Sequence, residues 1–381
     1  MNRELLITFY LIIFRIVFNL FQFFPIRKKT TMIASLGHNI RFTAEALEKH
    51  TDESIIILKT KRCQLEFRST DRRTIIPFNA NHPFDWLRSI YHLATSHVIF
   101  ADNYYGILAV TNFRHRVRVV QLWHAAGAIK KFGLQDPSNK YRSKKAIARF
   151  QKVYQRFTDV VIGSEKMASI FKRSFHISDN RLRRTGIPRT DFFYQTDHIR
   201  QVKNELQHSI GYDQTKKIIL YAPTFRNMPK ADVQLNIKQL YDHLKHEYLL
   251  FLSIHPSEQI TATNRYPDFV FDVSHFSMNH ILTITEILIT DYSSIPFEFA
   301  FFQRPMIFFA YDLEDYKQER GMWQEYENLV PGPIVKTTEA IIHLIRANRF
   351  NLNHMPDFHK EWNTYSDGHA SNRLIKTIYH L

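Results

Sequence analysis

Apolar residues along this chain fall in short β-branched runs separated by amphipathic stretches, the trace that parallel sheets crossed by helices leave in a sequence. In the first half the runs predict strands at Thr31–Leu36, Ser54–Leu58, Val98–Ala101, Val117–Leu122 and Asp159–Ile162. Helical spacing predicts helices over Phe84–Thr95 and Ser143–Phe157. A polar stretch near Gln195–Thr215, with a short helix of its own, leads into a second series. Its strands are Lys217–Tyr221, Tyr248–Ile254, Ile287–Thr290 and Met306–Phe309, and its helices lie near Asn236–His246, Asn279–Thr285, Phe297–Phe302 and Thr338–Ala347. The fold class is therefore α/β, with two doubly wound, Rossmann-like domains in tandem. We place the boundaries at 1–30 for an amino-terminal helix and its basic flank, 31–200 for the first domain and 201–381 for the second, whose last helix can pack back on the first.

Leu5–Phe24 is an apolar run interrupted by Thr8, Arg15, Asn19 and Gln22 and followed by Pro25 and the triplet Arg27, Lys28, Lys29. At about 100° per residue these four and Glu4 share an arc of about 60° on a helix. A lone spanning helix would hold Arg15 near the bilayer centre at about 2.5–3.5 kcal/mol, whereas a helix lying in the interface keeps the stripe wet. An in-plane amphipathic anchor is the expectation, and a helix that only covers the globular body is the plain alternative. No small-residue cleavage site follows the run, which disfavours a signal peptide. If the segment spans, its basic flank places the rest in the cytoplasm.

Charge narrows the partners. Lys and Arg number 51 against 36 Asp and Glu in 381 residues, a formal net charge of +15, so the partner is expected to be anionic. With 10 glycines the chain has neither a Walker loop nor a G-x-G-x-x-G fingerprint, which argues against P-loop ATPases and the usual dinucleotide folds. Cys63 is the only cysteine, which excludes disulfides within the chain and Cys-rich metal clusters and fits a reducing compartment. No helix-turn-helix or RNP pattern accompanies the 32 Phe and 18 Tyr, so nucleic acid is not an expected partner. With neither H-x-x-x-H nor H-E-x-x-H present, no metal site is expected, and no cofactor.

Ligands in open α/β sheets bind beyond the carboxyl ends of the strands. Here those ends carry chemistry: Trp123-His124; Gly163-Ser164-Glu165; Pro223-Thr224-Phe225-Arg226; His255-Pro256; and Asp291-Tyr292-Ser293-Ser294. Ser293 and Ser294, ahead of Pro296 and Glu298, form a helix start that can present amides to a phosphate or serve as a plain cap. Arg226 can clamp a phosphate or sit solvated. His124 and His255 suit a base or a donor to a developing anion, although 20 histidines make any pair weak by itself. Lys130, Lys131 and Asp291 are candidates for acceptor or phosphate contacts.

Taken together, Gln121-Leu-Trp-His-Ala-Ala-Gly-Ala-Ile-Lys-Lys-Phe-Gly133, Gly163-Ser-Glu165, Gly186-Ile-Pro-Arg-Thr-Asp191, Tyr221-Ala-Pro-Thr-Phe-Arg226, His255-Pro256 and Thr290-Asp-Tyr-Ser-Ser-Ile-Pro-Phe-Glu298 resemble the CDP-glycerol glycerophosphotransferase family of wall teichoic acid synthesis. Tyr311-Asp312, Arg320-Gly321 and Pro331-Gly332 continue the order, and the length and the closing Trp362-Asn-Thr-Tyr-Ser-Asp-Gly368 are similar to its glycerol phosphate primase branch. The resemblance implies a GT-B-like fold, two Rossmann-like domains facing a cleft. It implies transfer of one glycerol phosphate from CDP-glycerol to the N-acetylmannosamine of an undecaprenyl-diphosphate-linked disaccharide, releasing CMP.

The resemblance also implies site residues. Donor contacts fall on His124, Ala125, Gly127, Arg189, Thr224, Phe225, Arg226, His255, Ser293, Ser294 and Glu298, with His124 and His255 catalytic. Ala126 departs from the commoner Trp-His-Ala-Asn-Gly text, removing an Asn side chain there. It further implies a peripheral protein on the cytoplasmic face of the cell membrane, with the anionic membrane surface and other teichoic acid enzymes as partners. The rivals are a polymerase of the same family, a nucleotide-sugar glycosyltransferase and a noncatalytic peripheral membrane protein. The donor polyol, glycerol or ribitol, rests on the resemblance alone.

Overall fold

A computed structural model describes residues 3–224, 234–254 and 265–381. The chain divides into two compact units: residues 1–126, 132–191 and 364–381 form one, and residues 127–131 and 192–363 the other. The boundary thus falls between Asp191 and Phe192, ahead of the polar helix Thr196–Ile210.

In the first unit seven parallel strands are ordered β3-β2-β1-β4-β5-β6-β7. They are β1 (Arg27–Ala34), β2 (Ser54–Thr60), β3 (Arg73–Phe78), β4 (Ser96–Ala101), β5 (Arg118–Gln121), β6 (Asp159–Val161) and β7 (Leu182–Arg183). The second unit repeats the arrangement with six parallel strands, ordered β10-β9-β8-β11-β12-β13. These are β8 (Lys217–Ala222), β9 (Tyr248–Leu252), β10 (Val270–Asp272), β11 (Ile287–Thr290), β12 (Met306–Phe309) and β13 (Ile334–Val335). The order in which strands are added reverses between β1 and β4 in one sheet and between β8 and β11 in the other. These are the switch points at which open sheets bind ligands.

The sequence patterning locates the central strands and misses β3, β7, β10 and β13, which are short or polar enough to break the apolar-run signal. Helices α2 (His38–His50) and α5 (Glu165–Phe175) were likewise not expected, because their polar residues dilute the buried faces. The carboxy-terminal helix Ala370–Tyr379 belongs to the first unit, where Leu374, Ile375 and Ile378 join the core of Met32, Ile55, Phe100 and Val120.

Helix α1 (Arg3–Phe21) has three faces. Phe14 and Phe18, both 0% exposed, dock on the body, Phe14 edge-on to Trp86 of helix α3 (Pro83–Thr95) and Phe18 edge-on to Phe113. The polar stripe meets polar groups: Arg149 of helix α4 (Lys144–Arg156) pairs with Glu4 at 3.2 Å, and Gln22, one residue past the helix, donates to the Asn112 carbonyl at 2.6 Å. The third face is apolar and exposed, with Phe9 65%, Ile16 55% and Leu20 57% exposed. Glu4–Phe21 is long and apolar enough to cross a membrane by length and composition. The helix therefore both covers the body and presents apolar surface.

A buried carboxylate locks the far end of this unit. Asp159, whose side chain is 1% exposed, takes both Arg118 nitrogens at 2.6 and 3.0 Å and Arg183 at 2.5 Å. Arg118 then donates to the Ile378 carbonyl at 2.7 Å, holding the end of the carboxy-terminal helix. Burial acts to raise the Asp159 pKa, but hydrogen bonds from Arg118 and Thr158 outweigh it and hold the carboxyl below its ordinary 3.8. A carboxyl so depressed stabilises the fold above about pH 4 and loses that contribution as pH falls through its folded value. Asp159→Asn should cost about 3–5 kcal/mol in urea denaturation by leaving buried guanidinium charge uncompensated, and should flatten the loss of stability below pH 4.

Candidate active site

The site is built where β1, β4 and β5 end. Val119, Val120 and Leu122 are buried, and the chain then turns through Trp123 with φ +58°, a left-handed conformation that an aromatic residue seldom takes. The turn is held from both sides. Trp123 N–H donates to Gln121 Oε1 at 2.8 Å, and its carbonyl accepts from Asn39 Nδ2 at 2.9 Å. The indole stacks on the His124 ring, 4.4 Å between centroids, and on Phe132 at 4.6 Å.

His124 Nδ1 lies 3.2 Å from the Asp102 carbonyl. A carbonyl only accepts, so Nδ1 carries the proton and Nε2 keeps its lone pair. Desolvation drives the His124 pKa down from 6.5 to about 4, Arg189 adds to that, and the Asp102 carbonyl opposes it. The ring is neutral at pH 7, the state a general base needs.

Asp102, 1% exposed, organises the same corner with its carboxylate. Its oxygens accept the backbone N–H groups of Ser35 (3.0 Å), Leu36 (2.9 Å) and Gly37 (2.7 Å) and the Tyr105 hydroxyl (2.6 Å). Gly37 supplies the φ of +89° that this loop requires. Neither Asp102 nor Asn39 was singled out from sequence. The available signal was position: Asp102 directly follows the apolar run of β4, and Asn39 follows the end of β1.

The Ala125–Lys131 text is split between the units. Ala125 and Ala126 are buried in the first, and Gly127–Lys131 belongs to the second. There a Cβ on Gly127 would come within 2.4 Å of the Phe297 ring, so glycine is required by close approach. Lys131 N–H donates to the Gly321 carbonyl at 3.1 Å, and Lys130 Nζ donates to the Tyr316 hydroxyl at 3.1 Å. The Arg320-Gly321 text is thereby tied to the Lys130-Lys131 text.

In the second unit the loop after β11 carries the expected residues. Asp291, 1% exposed, accepts the Thr224 N–H at 2.8 Å and the Tyr292 N–H at 2.5 Å, so its carboxylate fastens the loops after β8 and β11 together. Ser293 Oγ lies 3.0 Å from Thr290 Oγ1 and accepts the Ile295 N–H at 3.3 Å. Ser294 precedes the helix Ile295–Phe299, whose buried face includes Glu298. Where the sequence predicts a helix over Phe297–Phe302, the helix starts two residues earlier and ends at Phe299, with a 3₁₀ turn over Ala300–Phe302. His255, Phe225 and Arg226 lie outside the described residues. The structure thus groups His124 with Arg189, Asn39 and Asp102 in one unit, and Thr224 with Asp291, Ser293 and Ser294 in the other. Among the described residues no group of three or more His, Cys, Asp or Glu is placed to hold a metal ion.

The chain matches known proteins over nearly its whole length. The chain is 37% identical over 383 residues to the teichoic acid glycerol-phosphate primase of Bacillus subtilis, covering 100% of this chain and 99% of that protein. It is 31% identical over 382 residues to the teichoic acid poly(ribitol-phosphate) polymerase of Bacillus spizizenii, covering 96% of this chain and 58% of that one. Among solved structures, a chain of the wall teichoic acid polymerase TagF, in its H444N variant, superposes with a TM-score of 0.82 at 19% identity, covering 96% of this chain and 92% of that solved chain, which shows the GT-B-like fold. The family described as CDP-glycerol:poly(glycerophosphate) glycerophosphotransferase matches residues 16–380. With that match nearly the whole length of the chain, and the family's motifs at the strand ends, the protein belongs to the CDP-glycerol glycerophosphotransferase family.

Proposed function

We propose that this glycerophosphotransferase is a primase: it moves one glycerol phosphate from CDP-glycerol to the N-acetylmannosamine hydroxyl of an undecaprenyl-diphosphate-linked disaccharide. The state of His124 carries the reading, a neutral imidazole with its proton fixed on Nδ1. Its Nε2 takes the hydroxyl proton of the acceptor. The freed oxygen bonds to the phosphorus bearing glycerol, and the bond from that phosphorus to the bridging oxygen breaks, so CMP leaves with the electron pair. Little covalent work falls to the protein, so rate comes from positioning and from neutralising the diphosphate. By their place in the sequence after β8 and β9, Arg226 and His255 are assigned to the diphosphate, with Thr224, Ser293 and Ser294 beside it.

The anion-binding roles divide by unit. In the first, the amides after β1 are filled internally by the Asp102 carboxylate. In the second, Asp291 takes the Thr224 amide, and the Ser294 side chain makes no capping bond to its helix. This supports donor binding by the second unit. Single addition, as against polymerisation, is supported by the match to 99% of the Bacillus subtilis primase.

The exposed apolar face of α1 supports a peripheral position at the cytoplasmic leaflet, and the exposed Arg27 and Lys28, which open β1, are assigned to lipid phosphates. There the soluble donor and the polyprenyl-held acceptor meet.

Three outcomes are expected. Incubated with CDP-glycerol and the lipid-linked disaccharide, the protein should release CMP and add a single glycerol phosphate by mass; a ladder of products would make it a polymerase. His124→Ala should lower turnover about 10²–10⁴-fold with the circular dichroism unchanged, and wild-type kcat/KM should show its acid limb near pH 4, where the free enzyme's imidazole protonates, and stay flat through pH 6.5. The triple variant Ile12→Gln, Ile16→Gln, Leu20→Gln, which spares the docked Phe14 and Phe18, should lose binding to anionic liposomes in a sedimentation assay; unchanged partitioning would refute the membrane face.

A further inference from the structure

Asn39 lies in the first turn of α2 and is 2% exposed. Its amide meets three backbone groups from two other segments. Nδ2 donates to the Trp123 carbonyl at 2.9 Å and to the Leu122 carbonyl at 3.4 Å, while Oδ1 accepts the Arg189 N–H at 2.9 Å. Two carbonyls on one side and an N–H on the other fix the amide's orientation without ambiguity. The Trp123 carbonyl belongs to the peptide that leads directly into His124, and that peptide leaves a left-handed residue that its own conformational preference would not hold.

We propose that Asn39 is the positioning residue of this site: it clamps the strained Trp123 peptide so that the His124 ring points Nδ1 at the Asp102 carbonyl, and it holds the Arg189 backbone in register with that ring. Asn39 touches no reacting atom and acts through His124. The inference rests on the reading of His124 as the base. Without the clamp, the peptide relaxes, the ring leaves the Asp102 carbonyl, and Nε2 is no longer aimed. A second polar contact along this helix turn differs in kind. Thr43 Oγ1 donates to the Asn39 carbonyl at 2.7 Å within the helix and reaches neither His124 nor Arg189.

The test uses the full-length chain and two readouts. The first is the imidazole of His124 in protein labelled with ¹⁵N-histidine, assigned by loss of its signal in His124→Gln. Wild-type His124 is expected to be protonated on Nδ1 and to titrate near 4, with Asp102 and Arg189 the charged groups facing it. In Asn39→Asp, which keeps the shape and the acceptor toward Arg189 but turns a donor into an acceptor against the Trp123 carbonyl, the Nδ1–H signal is expected to be lost and the titration to move toward 6.5. The second readout is kinetic. Asn39→Asp should lower kcat on the order of 10²-fold, with KM for CDP-glycerol within about threefold, whereas Thr43→Val should leave kcat at the wild-type value. Asn39→Ala is read the same way if the aspartate variant fails to fold.

Wild-type His124 protonated on Nε2, or a folded Asn39 variant with wild-type kcat and an unmoved His124 titration, would overturn the proposal. Full turnover by His124→Ala would instead remove the base assignment. The tautomer and titration in the Asn39 variants would still decide whether Asn39 orients the ring.

Discussion

A carboxylate placed where two neighbouring loops leave their sheet is the constraint on which both units depend. Asp102 follows β4 and binds the amides after β1, and Asp291 follows β11 and binds an amide after β8. In the strand orders β3-β2-β1-β4 and β10-β9-β8-β11 these are equivalent positions, each at the point where the order in which strands are added reverses. Loops at such points leave backbone N–H groups facing outward, and buried N–H groups must be paired. Folds that bind dinucleotides pair them with a phosphate cradled by glycines. A chain with 10 glycines in 381 residues pairs them with its own aspartates.

That substitution has chemical consequences. With three amides bonded to it, the Asp102 carboxylate is held rigidly, and its main chain is held with it, so its carbonyl becomes a fixed reference for His124. The imidazole gains its tautomer from that carbonyl, its low pKa from desolvation, and its approach from the turn at Trp123. Strain at a left-handed tryptophan persists only where surrounding contacts over-determine it, and here Gln121, Asn39 and the stacked Phe132 do so. In the second unit Asp291 does the lighter task of fastening the Thr224 loop to the loop that carries Ser293.

The amino-terminal helix shows the same economy of faces. One face joins the core through Phe14 and Phe18, one carries the polar stripe toward Arg149 and Asn112, and one remains apolar and exposed. A helix docked in this way is a fixed part of the surface, so its apolar face is held in place by the body to which it is attached.

Much of this was legible in the linear text. β-branched runs located the central strands because parallel strands are buried on both faces. The residues just past those runs were the site candidates for the same reason, since chemistry in such sheets sits at strand ends. The polar stripe of α1 was readable from its spacing. What sequence could not supply depends on partners far apart in the chain. Asn39 and Asp102 acquire their roles from contacts 84 and 22 residues away, with Trp123 and His124, and nothing local marks them. The lowered pKa of His124 needs burial that only packing creates. Gly127 looks like any turn glycine until Phe297 is laid against it. Local apolar periodicity therefore determined the fold class and the addresses of the site. Tertiary structure alone decided which of those residues are aimed, charged or held, because orientation, desolvation and hydrogen bonding between distant segments exist only after the sheets have formed.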